Sequence, residues 1–183
     1  MKTKIFKTLP LTMLLSVVLL SISNCDKVAE ALNIESPFST HFIINVTEND
    51  ELLFMSSEEI DLSSNQDFQN NKDKIEYFTL NEVYYKIENY EGTPGILGSG
   101  SISFSDDTGQ LGDAIFQTNI DFYSLFESGA ETTLPITEET KSAIQDALKN
   151  DMKVIVSIEG LVSDKPVYVD LEVFLVIGAK VNP

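Results

Sequence analysis

The run from Val167 to Ile177 constrains this chain more than any other stretch. Val167, Val169, Leu171, Val173, Leu175 and Ile177 alternate without a break. That is the two-residue period of a strand with one face in a core. The opposite face begins with Tyr168, Asp170 and Glu172 and turns apolar at Phe174 and Val176, so the wet face becomes covered toward its end. The cover expected from the sequence is a helix over residues 138–149. Thr137 is its N-cap, Glu138 and Glu139 sit in its first turn and Lys149 in its last, and Asn150 takes the left-handed C-terminal position. Ala143, Ile144, Ala147 and Leu148 give it a narrow apolar stripe.

The same period recurs upstream. Phe42, Ile44 and Val46 oppose His41, Ile43, Asn45 and Thr47 in a strand starting at Thr40. After the polar turn Glu48 to Glu51, Leu52 to Leu62 reads as its hairpin partner. In Leu80 to Tyr90, Val83, Tyr85 and Ile87 alternate with Tyr84, Lys86 and Glu88; parity then places Tyr84 and Tyr90 together on the solvated face. Ile96 to Ser105 and Ala114 to Phe122 continue what reads as a meander, and Gly98 and Gly100 mark a bulge or close backbone approach. Lys153 to Glu159 reads as the hairpin partner of the last strand, and Tyr123 to Glu127 as a helical turn. The polar stretch 63–74 is a loop holding at most a short helix, with Phe68 its single large apolar residue. The expected fold is mainly β: an antiparallel two-sheet β-sandwich, or a partly open barrel, with one covering α-helix.

The N-terminus follows a different logic. Lys2, Lys4 and Lys7 precede an uncharged stretch from Leu9 to Ile22, with small and polar residues after it. This is the order of an export signal, and the stretch is shorter than the roughly 20 apolar residues of a membrane span. Ile22, Ser23, Asn24 and Cys25 resemble the lipobox of bacterial lipoproteins, in which the cysteine becomes the lipidated first residue; Asn24 stands where the family has Gly, Ala or Ser. The resemblance covers only this leader. It implies a signal peptide at 1–24, a lipid anchor (palmitate among its acyl chains) and tether at 25–37 ended by Pro37, and a single β-rich domain at 38–183. Cleavage after Ser23, leaving Cys25 a free thiol, is the alternative.

Cys25 is the chain's one cysteine, so the domain contains no internal disulfide and stands on side-chain burial alone. The chain has 12 Lys+Arg, all lysine, against 29 Asp+Glu, for a net charge of −17, and three of those lysines lie in the leader. Such acidity opposes nucleic acid, and the lack of arginine removes bidentate clamps for phosphate. No cofactor is expected. Metal is not expected either: the Asn- and Asp-rich stretch 63–74 lacks the glycine of a calcium loop, and one imidazole with no thiolate does not make a zinc site. Glu58, Glu59 and Asp61 read as a solvated run.

His41 is the single histidine and no G-x-S-x-G elbow accompanies it, which argues against a Ser-His-Asp enzyme. The glycines of Gly95 to Gly100 run into a strand and not onto a helix N-terminus, so they do not form a phosphate loop. Catalytic residues are therefore none. The binding surface expected from the sequence is Tyr84 with Tyr90, facing a protein or glycan. The functional expectation is a non-enzymatic, lipid-anchored protein of the cell envelope, at the outer membrane, with an acidic binding or structural domain. A carboxylate-dependent hydrolase of an envelope polymer or glycan and an accessory subunit of an outer-membrane complex are the alternatives.

Overall fold

The computed structural model describes residues 32–182; the leader, the lipobox and Cys25 lie outside the described residues. Nine strands form two antiparallel sheets. The strands are β1 (Leu32–Val46), β2 (Leu53–Asp61), β3 (Ile75–Gly92), β4 (Leu97–Asp106), β5 (Gly109–Gln110), β6 (Ile115–Asp121), β7 (Thr132–Thr133), β8 (Lys153–Val162) and β9 (Val167–Val181). The four-stranded sheet runs β1-β9-β3-β7 and the five-stranded sheet β2-β8-β4-β5, with β6 also paired to β4. This is a β-sandwich, with inward residues from both sheets forming one core.

The chain keeps changing sheet, and three expected pairings fail for that reason. β1 pairs with β9 and not with β2, whose partner is β8. β8 and β9 are not a hairpin: β8 lies between β2 and β4, and β9 between β1 and β3. Of the meander only the β4–β6 pairing forms, with the short β5 also paired to β4. In each case strands consecutive in sequence face each other across the core. Alternation specifies which side chains point inward, and says nothing about which sheet a strand joins.

β1 begins at Leu32, not Thr40, so the last six residues of the expected tether are strand, paired from Leu32↔Val181 onward. Pro37 does not stop it. It sits opposite Val176 on a sheet edge, where a residue without an N–H is tolerated. The alternation in β9 holds as read, with every odd residue from Val167 to Ile177 buried.

Three α-helices complete the domain: α1 (Gln66–Asn71), α2 (Phe122–Ser128) and α3 (Glu138–Asp151). Thr137 caps α3, its Oγ1 accepting from the Thr140 N–H at 3.1 Å. The helix runs past Asn150, and Met152 takes the left-handed position at φ 60°. It does not lie over Phe174 and Val176. It bridges the two sheets, touching β3 on one side and β8 and β4 on the other, with Ile144 and Leu148 in the core. Phe174 is covered instead by Tyr84, stacked on it with centroids 4.7 Å apart. The segment 63–74 is anchored by Phe68, which is fully buried between Phe38 of β1 and Phe78 of β3.

Candidate functional site: the outer face of the five-stranded sheet

The outer face of this sheet is built from rungs that cross its strands. In one rung Met55 of β2 stands opposite Glu159 of β8, Glu159 opposite Ser101 of β4, and Ser101 opposite Phe116 of β6. The next rung is Leu53, Leu161 and Ser99. The rung on the other side is Ser57, Ser157 and Ser103, with the first two hydroxyls 2.7 Å apart. The face thus passes from a serine-lined half to an apolar half within a few residues.

The apolar half is unusually exposed. Met55 is 79% exposed, Phe116 74%, Leu53 59% and Leu161 50%. Singly exposed apolar residues are ordinary, but clustered ones on a soluble domain mark contact surfaces. These side chains border a groove of about 530 Å³ whose lining includes Ser99, Gly100, Ser101 and Gly160. The two glycines are required by backbone proximity. A Cβ on Gly100 would lie 2.3 Å from the Glu159 carbonyl oxygen, and one on Gly160 would lie 2.4 Å from the Ser99 carbonyl oxygen. The close approach expected at Gly100 is therefore present; Gly98 is equally restricted, with its absent Cβ position 2.1 Å from the Phe122 ring. Between Gly98 and Gly100 the β4–β6 register shifts, and Asn119 adopts φ 55°. That irregularity is a bulge within β6, which pairs with β4 on both sides of it.

The expected tyrosine surface does not form. Three register shifts in β3, the last between Ile87 and Asn89, invert its parity before Tyr90. Tyr90 is buried, its hydroxyl donating to the Thr93 carbonyl at 2.7 Å and its ring edge-on to Tyr123. Tyr84 does face outward, but on the four-stranded sheet, as the cross-strand partner of Phe174. Cys25 lies outside the described residues.

No family model matches the chain. No curated protein matches it either. Among solved structures it is similar to one of turnip yellow mosaic virus, at 10% identity and a TM-score of 0.38, covering 82% of this chain and 94% of that one. A structure of desmodium yellow mottle tymovirus compares at 10% identity and a TM-score of 0.37, covering 82% and 88%. Superpositions this loose identify neither a family nor a function.

Two polar clusters compete with the groove and are explained by local structure. Glu59, Asp106, Asp107, Asp151 and Lys153 line a hollow of about 120 Å³. Lys153 Nζ holds Glu59 at 2.8 Å and Asp61 at 3.5 Å. Asp106 closes its own turn, accepting from Thr108 Oγ1 at 2.6 Å and Thr108 N–H at 2.7 Å, and these bonds hold its carboxyl below the usual range. Among the described residues no group of His, Cys, Asp and Glu could hold a metal ion.

The second cluster surrounds His41 on the four-stranded sheet. Its Nδ1 lies 2.9 Å from Asp170 and its Nε2 3.5 Å from Glu172. The Asp170 hydrogen bond raises the imidazole pKa above 6.5, partial burial opposes this, and the charges of Asp170, Glu172 and Glu88 add to the rise. The folded state therefore binds the proton more tightly than the unfolded chain. The resulting stability is fully present below the unfolded pKa and is lost as pH rises through the folded one. Because the ring is half-exposed, solvent limits the gain to about 0.5 kcal/mol. His41→Gln should thus lower stability in urea titrations near pH 5.5, about one unit below the free imidazole, and leave it unchanged near pH 9, about two and a half units above it. Equal losses at both would mean that the proton contributes nothing.

Proposed function

We propose that this chain is a non-enzymatic, lipid-anchored protein of the cell envelope whose β-sandwich binds a partner through the outer face of its five-stranded sheet. The observation that carries the binding reading is the convergence of Met55, Phe116, Leu53 and Leu161 on one groove, all half-exposed or more. Burying such side chains on a partner is the main source of affinity at protein surfaces. The anchor rests on the lipobox-like residues around Cys25. Since β1 starts at Leu32, an extended link from Cys25 reaches about 25 Å at about 3.5 Å per residue. That holds the domain close to its membrane.

Two measurements test this reading. Cys25→Ala should move the protein from the membrane fraction to the soluble fraction, and retention in the membrane would remove the anchor from the proposal. A photo-crosslinking side chain at position 116 in living cells should give a discrete adduct, absent when the same group replaces Tyr77, which is exposed on the other sheet. Identical patterns from both positions would count against the face.

A further inference from the structure

The apolar half of the groove carries one charge, and its position defines what it accepts. Glu159 lies within the rung between Met55 and Ser101. Its Oε1 accepts from the Ser101 hydroxyl at 3.3 Å. Among the described residues no lysine or histidine forms an ion pair with it, whereas Glu59, Glu76, Glu88 and Glu138 each hold a lysine. A purely apolar guest seated on this rung would bury Glu159 without a counter-charge, which costs more than the apolar contact returns. A guest bringing a cation converts that penalty into a charge-assisted hydrogen bond. The carboxylate is therefore a selectivity element: it admits a basic guest and rejects an acidic or greasy one.

The rung also sets a spacing. Met55 and Phe116 are three strand intervals apart, about 14 Å at about 4.8 Å each. Four residues of extended chain span about the same distance at about 3.4 Å per residue, and every second side chain points the same way. A guest laid across the strands thus meets the rung with an apolar residue, a cation two positions on, and a second apolar residue two positions beyond. The glycines Gly100 and Gly160 keep the floor low enough for a backbone to approach. A second copy of this chain is a poor occupant because each molecule carries a net charge of −17, and an anionic lipid surface is opposed by the same charge.

We propose that this rung recognises an extended segment of a partner polypeptide with the pattern apolar-x-Lys/Arg-x-apolar, Glu159 pairing with the cation and Met55 and Phe116 with its neighbours. This rests on reading the face as a binding surface, and its test is separate from crosslinking at position 116. Fluorescent peptides of sequence Ser-Ser-Phe-Ser-Lys-Ser-Phe-Ser-Ser, with Glu or Leu replacing the central Lys in two controls, are titrated by anisotropy against the full-length protein in neutral detergent. The Lys peptide should bind at least about ten-fold tighter than either control, and Glu159→Gln should bring the three within about two-fold. Met55→Ser and Phe116→Ser should each weaken the Lys peptide by about five-fold or more. Glu76→Gln, on the other sheet, should change nothing. An unchanged preference in Glu159→Gln, or an equal loss in Glu76→Gln, would overturn the proposal, since attraction would then be to the acidic surface at large. So would a dimer seen by sedimentation that Phe116→Ser dissolves, because the face would belong to a second copy. A discrete adduct from position 116 alongside a flat peptide series leaves the binding face standing and removes only the peptide pattern.

Discussion

Phe68→Ala should lower the unfolding free energy by about 3–5 kcal/mol, the range for deleting a fully buried aromatic side chain. The residue is fully buried, yet it belongs to a segment that is otherwise polar. Asn65 caps the short helix that carries it, its side-chain oxygen accepting from the Asp67 N–H at 2.9 Å. The ring meets Phe38 edge-on at 5.3 Å and lies parallel to Phe78 at 6.0 Å, so it joins β1, the connection and β3 in one contact. Removing it leaves a cavity and also frees the connection from the sheet. Urea denaturation measures the difference directly. A loss under about 1 kcal/mol would show that the cavity collapses and that the segment is peripheral to stability.

Leu171→Ala is the second large effect, at about 2–5 kcal/mol. Leu171 sits on the central strand of its sheet, opposite Phe42 on one side and Ile87 on the other. It also borders a small apolar pocket of about 30 Å³ that opens toward the surface, together with Ile44, Tyr85, Ile102 and Phe122. Truncation extends that pocket into the core, and the penalty grows with the cavity volume that remains. The same denaturation experiment reads it, and a change within error would mean that the inward face of β9 is misassigned.

The inward faces were legible in the sequence because burial imposes a period of two on a strand, and the runs around Phe42, Val83 and Leu171 are long enough to show it. Tyr90 was misplaced by the same rule. An inserted residue between Ile87 and Asn89 leaves no mark in hydropathy, yet it turns every later side chain to the other face. The start of β1 is hidden for a related reason: Pro37 fits a strand only at an edge, and edge position is not written in local pattern. The groove was the least legible feature. Leu53, Met55, Glu159, Ser101 and Phe116 come from four strands whose adjacency depends on sheet membership, and local pattern carries no information about that. The signal available was compositional: Gly100 and Gly160, each within a strand, face one another across β4 and β8.

β9 lies between β1 and β3, pairing with both along most of its length, and it is the last strand of the described residues. β1 and β3 have no hydrogen-bonded contact with each other to form in its absence. The four-stranded sheet therefore cannot form until β9 has been made, and β1 is held as an unpaired template until then. Pairing strands so far apart in sequence is slow, in the millisecond-to-second range of all-β domains. Closure of this sheet is thus a single late event, in which one strand joins two others that cannot pair with each other.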